Sequence, residues 1–212
     1  MAEIKPFKIA IPDAKLDRLK QKLALTDFPD ELEEAGWDYG TPLADVKRLT
    51  SYWRETFDWR AAEAKLNTLP HFTTTVTVPQ FEPLILHFLH QRSPSPSAIP
   101  LLFCHGWPGS FLEATKILPL LTGLAPAGRP SFHLIAPSLP NFGFSAGVSR
   151  RGFGIDQYAT ACHQLMLTLG YEQSACKGGD WGWSVLRSLG RQFPGHCRAL
   201  HTNFPTPRAP KP

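Results

Sequence analysis

The chain has 212 residues, of which 42% are hydrophobic and 19% are charged, values that are ordinary for a globular protein of one domain with or without an arm. Its net charge of +4 comes from scattered Lys and Arg residues, which argues against nucleic-acid binding. No apolar stretch approaches the roughly 20 residues of a membrane helix, and the charged N-terminus is unlike a signal peptide, so we expect a cytoplasmic protein without a membrane span.

The first 70 residues show the apolar spacing of helices joined by loops. A helix is predicted to open near Asp13, and a loop is predicted over residues 26–40. Thr41 is predicted to cap a second helix, with Pro42 at its first position. Asp58 is predicted to cap a third helix. This region is therefore expected to be a helical meander that precedes a sheet.

From residue 72 the pattern becomes that of strands, over residues 73–78 and 84–90. The continuous apolar run from Ile99 to Cys104 is typical of a strand buried on both faces. A capping box from Ser110 to Glu113 then predicts a helix to about Leu121. Further elements are predicted at 132–136 (strand), 156–169 (helix), 173–177 (strand), after Gly182 (helix) and at 198–204 (strand), and the final PTPRAPKP is predicted to be structureless.

This alternation predicts an α/β fold with a mostly parallel sheet flanked by helices. We divide the chain into residues 1–115, with the meander and first strands, and residues 116–212, with part of the core. The four cysteines form no C-x-x-C pair and lie in apolar segments. They are predicted to be buried free thiols rather than disulfides or a zinc site; they are Cys104, Cys162, Cys176 and Cys197.

Gly178-Gly-Asp180-Trp-Gly182 lies between a predicted strand and a predicted helix. Small residues flank a central Asp, as in a nucleophile elbow whose usual serine is replaced by aspartate. Glycines permit the strained turn that presents the central side chain at the top of the sheet. The competing interpretation is that Asp180 only caps the helix that follows.

His105-Gly-Trp-Pro-Gly109 directly follows the buried strand at 99–104. Loops at the carboxyl ends of sheet strands hold the active sites of α/β enzymes. The N–H groups of Trp107 and Trp181 can therefore converge as an oxyanion hole. His105, Gly106 and Pro108 are predicted to contact the substrate. The alternative is a plain Gly/Pro turn with a structural His105.

The segments WRETFDWR, LNTLPHF, HGWPGSF, PSLPNFGFS, LMLTLGY and GGDWGWS together resemble the microsomal-type epoxide hydrolases of the α/β-hydrolase superfamily, over about residues 3–207. Asn141 departs from the pattern, since many relatives carry Gly there. The resemblance implies that Asp180 attacks an epoxide carbon and forms an alkyl-enzyme ester, which water then opens to a vicinal diol. It implies no metal or cofactor, a small lipophilic epoxide and water as reactants, and a role in detoxification or catabolism of such epoxides.

In the family, lid tyrosines protonate the epoxide oxygen, and a histidine oriented by a carboxylate activates the water. In this chain only His196 and His201 follow Asp180, and both match non-catalytic family positions, while the four tyrosines precede the elbow. The lid and the C-terminal part of the fold are therefore expected to be missing, and the chain is interpreted as a fragment with little turnover alone. The alternatives are a non-catalytic binding protein or another Asp-nucleophile hydrolase, such as a haloalkane dehalogenase.

Overall fold

The computed structural model describes residues 2–126 and 128–205. The described residues contain seven strands and six α-helices, in this chain order: β1 (Lys5–Pro6), α1 (Asp13–Ala24), α2 (Leu43–Glu55), α3 (Trp59–Leu66), β2 (His71–Val76), β3 (Leu84–Gln91), β4 (Ile99–Cys104), α4 (Leu118–Thr122), β5 (Phe132–Pro137), α5 (Ile155–Thr168), β6 (Ser174–Gly178), α6 (Trp181–Gln192) and β7 (Cys197–His201). The predicted elements are present with ends shifted by a few residues, except that a short 3-10 helix and α4 replace the single helix predicted from Ser110 to about Leu121. The segment PTPRAPKP, predicted to be structureless, begins at Pro205, and its residues 206–212 lie outside the part of the chain that the structure describes.

The strands form one mixed sheet in the order β1-β2-β3-β5-β4-β6-β7. The first half is antiparallel, through the pairs β1–β2, β2–β3 and β3–β5. The second half is parallel, through β4–β5, β4–β6 and β6–β7. The fold is thus α/β, and the parallel half brings the carboxyl ends of β4 and β6 side by side.

The main core lies between the sheet and helices α5 and α6. Leu102 at the centre of β4 is completely buried, as the continuous apolar run predicted, and so are Leu165 of α5 and Leu186 of α6. Each such side chain contributes about 2 kcal/mol of transfer free energy when it leaves water. This packing fixes the positions of β4 and β6, which lead into the motifs at residues 105–109 and 178–182.

The segment Ile9–Thr68 forms one compact unit, and Met1–Lys8 with Leu69–Pro212 forms the other. Met1–Lys8 groups with the sheet because the short strand β1 pairs with β2. The division of the chain at residue 115 remains a prediction about sequence regions. No helix among the described residues is long and apolar enough to cross a membrane.

The helix caps of the 9–68 unit differ in part from prediction. Asp58 caps α3 as predicted, because its carboxylate accepts a hydrogen bond from Ala61 N at 3.0 Å. Thr41 does not cap α2: the helix begins at Leu43, and the Glu31 carboxylate accepts from Leu43 N at 2.6 Å. A distant side chain thus takes the place of the local cap.

The predicted helix after Ser110 is also different. A short 3-10 helix covers Phe111–Ala114, and α4 begins only at Leu118. Ser110 Oγ accepts from Leu112 N at 3.3 Å, but Glu113 does not complete a capping box. Its carboxylate instead accepts a hydrogen bond from Gly106 N at 3.1 Å. The acid of the expected cap is therefore used to hold the preceding loop.

The four cysteines are free, and three of them are buried; Cys197 is only half-buried. The prediction of free thiols is confirmed, and that of full burial is wrong for Cys197, because it lies at the start of the outermost strand of the sheet.

Candidate active site

Asp180 occupies the sharp turn between β6 and α6. Its backbone has φ 54° and ψ −127°, a left-handed conformation that a residue with a Cβ rarely adopts. Such strain costs on the order of 1–3 kcal/mol and is maintained only where the surrounding packing over-determines it. The turn lifts the carboxylate away from the sheet at the carboxyl end of β6, which is the position that the elbow interpretation predicts.

Close packing around two glycines fixes this turn. A Cβ on Gly182 would lie 2.2 Å from the Cys104 carbonyl oxygen, and a Cβ on Gly178 would lie 2.9 Å from the Gly182 carbonyl carbon. Both contacts are with backbone, which cannot rotate away. The small residues on either side of Asp180 are therefore required by the approach of α6 to the end of β4.

One oxygen of Asp180 accepts two backbone hydrogen bonds. Oδ1 lies 2.8 Å from Trp107 N and 2.5 Å from Trp181 N. The two N–H groups that were predicted as an oxyanion hole therefore converge on one point, and the carboxylate itself occupies that point. Within the described residues, Oδ2 accepts no hydrogen bond.

The loop after β4 supplies the Trp107 N–H. The Trp107–Pro108 peptide bond is cis, and the Glu113 carboxylate binds Gly106 N from the 3-10 helix. A Cβ on Gly106 would lie 3.0 Å from Asp180 Cβ and 3.1 Å from Oδ1. Gly106 thus allows the loop to approach the carboxylate closely enough for the Trp107 hydrogen bond.

His105 points into the protein and not toward the carboxylate. Its Nε2 accepts from Leu139 N at 3.1 Å, and its Nδ1 donates to Gly106 O at 2.9 Å, so the ring is neutral. Burial lowers the pKa of His105, with the Gly106 hydrogen bond and Glu113 opposing. The imidazole is completely buried, which favours the structural alternative over substrate contact for this residue.

An open cleft of about 500 Å³ lies over the carboxylate. The predicted residues Gly106, Trp107, Pro108 and Asp180 line it, together with others that sequence reasoning did not single out: Phe103, Glu113, Ile117, Lys177, Gly179, Asn203 and Phe204. Most of these additional residues could have been predicted from the sequence, because they lie at the ends of β4 and β6 or follow β7. The carboxyl ends of parallel strands share one edge of the sheet, so residues at those ends lie near one another.

Lys177 and Glu113 give the cleft one positive and one further negative group. Lys177 Nζ donates to Asn203 Oδ1 at 2.7 Å and lies 5.9 Å from the centroid of the Phe103 ring. Partial burial lowers the pKa of Lys177, and nearby Glu113 opposes the shift. In the described part of the chain, no group of three or more His, Cys, Asp or Glu residues is placed to hold a metal ion.

The later histidines and the tyrosines lie elsewhere. His196 Nδ1 contacts the Glu172 carbonyl at 2.5 Å, and His201 ends β7; among the residues that the structure describes, no histidine or tyrosine lines the cleft.

Tyr158 receives a hydrogen bond from Asn141 Nδ2 at 3.2 Å. Asn141 has φ 70°, a left-handed value, which explains why glycine is suited to this position.

The comparisons with known proteins agree with this geometry. Residues 4–114 match the family model described as "Epoxide hydrolase N terminus", and residues 99–211 match the model described as "alpha/beta hydrolase fold". "Epoxide hydrolase 1" of Sus scrofa is 39% identical over 94% of this chain and 44% of its own length.

Two solved structures are also similar. The juvenile hormone epoxide hydrolase of the silkworm Bombyx mori has a TM-score of 0.86 and 32% identity, over 96% of this chain and 53% of its own. The Aspergillus niger epoxide hydrolase has a TM-score of 0.83 and 35% identity, over 99% and 54%. The chain spans about half the length of the relatives it matches. On its N-terminal region, its elbow and these likenesses, it belongs to the epoxide hydrolase family of the α/β-hydrolase fold.

Proposed function

We propose that this chain carries the nucleophilic half of an epoxide hydrolase site, with Asp180 as the attacking carboxylate. One observation carries the proposal: both converging N–H groups bind Oδ1 and leave Oδ2 free at the floor of the cleft. A residue that only capped α6 would have no need of the second donor, from a loop 73 positions away in sequence. A carboxylate is charged at neutral pH and needs no base to activate it.

The two oxygens then have separate roles. Oδ2 attacks an epoxide carbon, the carbon–oxygen bond of the ring breaks, and the freed alkoxide takes a proton from water. Oδ1 becomes the carbonyl oxygen of the new ester and stays between the N–H groups of Trp107 and Trp181. The donors are therefore in place before the reaction and need no rearrangement.

Hydrolysis of the ester places negative charge on the same Oδ1. Water adds to the ester carbonyl carbon, and the two donors, at 2.8 and 2.5 Å, stabilise the charge that develops. The water also requires a general base, and no histidine lines the cleft in the described residues. We therefore expect an ester formed on this chain to persist rather than to turn over.

The substrate class is a small lipophilic epoxide. The side chains of Phe103, Ile117 and Phe204 give the cleft an apolar wall, and Gly106 and Pro108 bring backbone close to the reacting carbon. Some relatives are named juvenile hormone epoxide hydrolases, at 36–37% identity for two proteins of Ctenocephalides felis. The reaction product in this proposal is a vicinal diol.

The test is to incubate the chain with styrene oxide and measure its intact mass. We expect a gain equal to one epoxide, localised by trypsin to the peptide 178–187, which lies between Lys177 and Arg187. Asp180→Asn should abolish this adduct because an amide is a far weaker nucleophile. Asp17→Asn, at an exposed position of α1, is the matched control and should react as the parent does.

A folded parent chain without an adduct, or an adduct on 178–187 that survives Asp180→Asn, would contradict the proposal. Steady release of diol would instead show that a base acts within the chain. In that case the hydrolysis expectation is wrong, and His196 and His201 are the residues to substitute next.

A further inference from the structure

Two cysteines lie side by side on neighbouring strands below the elbow. Cys176 is in β6 and Cys197 begins β7, and their sulfur atoms are 3.6 Å apart. Cys197 pairs with Ser174 in the ladder, and Cys176 lies two residues beyond Ser174, so both thiols are on the same face of the sheet. This face packs against α6, where a Cβ on Gly190 would lie 3.7 Å from Cys197 Sγ.

The two thiols have different surroundings. Cys176 is 1% exposed, whereas Cys197 is only half-buried. The hydrogen bond with Cys176 lowers the pKa of Cys197 to about 7, although burial opposes the shift. The same contact, together with burial, raises the pKa of Cys176. Cys197 is thus the more exposed and the more readily ionised of the two residues, and Cys176 is a buried thiol whose sulfur lies 3.6 Å from that of Cys197.

We propose that Cys197 and Cys176 form a thiol modification site that a hydroperoxide converts into a disulfide. The Cys197 thiolate attacks the peroxide O–O bond, so sulfur is oxidised to the sulfenic acid and the peroxide is reduced to an alcohol or water. The Cys176 thiol then attacks that sulfur. Its proton leaves with the hydroxyl group as water, and the S–S bond forms.

The step requires a small movement at the sheet edge. A disulfide bond is about 2.0 Å long, so the sulfurs must approach by roughly 1.5 Å. Because Cys176 and Cys197 lie diagonally across the ladder rather than directly opposite, the outermost strand β7 must shift toward β6 as the side chains rotate. The crosslink would join β6, which runs directly into Gly178 and Asp180, to β7 at the sheet edge. It would restrain the unfolded chain and raise the unfolding temperature. It does not depend on Asp180 acting as a nucleophile.

The other two cysteines provide an internal control. Cys104 and Cys162 are both buried, at 1% and 0% exposure. Their mutual hydrogen bond and burial raise the pKa of Cys104. Since neither thiol is open to solvent, peroxide should leave this pair reduced while the protein is folded.

The experiment treats the folded chain with hydrogen peroxide, blocks remaining thiols with N-ethylmaleimide and digests with trypsin. The expected product is a crosslink between peptides 152–177 and 192–198, with a mass two hydrogens below their sum, that dithiothreitol reverses. Cys162→Ser, the matched control, should keep this crosslink and removes the other thiol from peptide 152–177. Cys176→Ser should stop at a Cys197 sulfenic acid that dimedone traps.

Three results would overturn the proposal. Cys197 of the folded parent chain could remain fully available to N-ethylmaleimide after peroxide. The crosslink could disappear in Cys162→Ser, which would assign it to Cys162. Cys197 could also gain oxygen in the parent chain without any crosslink. The peptide map of the parent chain decides the first and third results even if a serine variant fails to fold.

Discussion

Asp180 combines a strained backbone with a carboxylate whose Oδ1 accepts two backbone hydrogen bonds. The left-handed φ of 54° is unfavourable for aspartate, whereas the pair of N–H donors on Oδ1 is favourable. The turn is held by close backbone packing at Gly178 and Gly182 rather than by the aspartate itself. The geometry of Asp180 is therefore set by its neighbours.

Gly106 is the neighbour that can be tested most directly. In Gly106→Ala the new Cβ would lie 3.0–3.1 Å from Asp180 Cβ and Oδ1, so the carboxylate or the loop must move. We expect alkylation by styrene oxide to slow by about 10- to 100-fold, since small misplacements of reacting groups have effects of this size. The rate of adduct formation by intact mass is the measurement.

The control for this substitution is Gly195→Ala, where nothing lies within 4 Å of the new Cβ. It should alkylate at the parental rate. An unchanged rate in Gly106→Ala, with the protein folded, would show that the approach of the loop to Asp180 does not matter for the reaction.

Among the elements, the junction of β4, its loop and α6 determines the site. The loop N–H of Gly106 is held by Glu113, and α6 approaches the Cys104 carbonyl at the end of β4. The capping-box pattern correctly marked a helical start at Ser110 but could not reveal that Glu113 binds Gly106. Local capping and loop binding compete for the same carboxylate, and only the folded loop decides between them.

Alanine substitutions at two glycines of α6 should change the free energy of unfolding in opposite directions. Gly182→Ala places a Cβ 2.2 Å from the Cys104 carbonyl oxygen, and we expect it to lower the free energy of unfolding by about 2 kcal/mol or more. Gly190→Ala meets only Cys197 Sγ at 3.7 Å, and we expect a gain of about 0.5–1 kcal/mol from the better helix former. Urea unfolding of both variants measures the difference.

If Gly182→Ala is as stable as the parent chain, α6 can shift away from β4 freely, and the tight elbow is not rigid. If Gly190→Ala instead loses as much stability as Gly182→Ala, then α6 does not tolerate an added methyl group at either position. In either case the argument from close backbone packing at the elbow would be wrong.

For the whole molecule, buried histidines link stability to pH. Burial, with a smaller effect of His71, lowers the pKa of His87 to about 3. Burial, with smaller effects of Arg92 and His133, lowers the pKa of His90 to about 4. In the unfolded state both histidines bind a proton with a pKa near 6.5, whereas in the native state they remain neutral to a much lower pH. The stabilisation is therefore complete above about pH 6.5 and is lost as pH falls from there toward about 4 for His90 and about 3 for His87.

We expect each of these two histidines to reduce the free energy of unfolding by about 2 kcal/mol between about pH 7.5 and pH 5. Urea titrations at the two pH values measure the decrease. His90→Gln should make it smaller by about 2 kcal/mol. His201→Gln, at an exposed position at the end of β7, is the control substitution. A His90→Gln decrease equal to that of the parent chain would show that His90 ionises normally in the native state.

The sequence by itself predicted most of the elements and marked Asp180 as the candidate nucleophile. Periodicity located β4 and α5, because buried strands and amphipathic helices have their own apolar spacing, and the Gly-Gly-Asp-Trp-Gly order identified the turn at Asp180. The motifs were also sufficient to identify the family. These features are local in the chain, so they can be read without knowing which segments meet.

Only the tertiary structure decided which partners each residue has. It showed that Trp107 N and Trp181 N share Oδ1, that Glu31 replaces Thr41 as a cap, and that His105 is turned into the core. It also placed Cys197 beside Cys176. Each of these contacts joins residues that packing brings together, mostly across long sequence separations, and spacing along the chain carries no information about such distances.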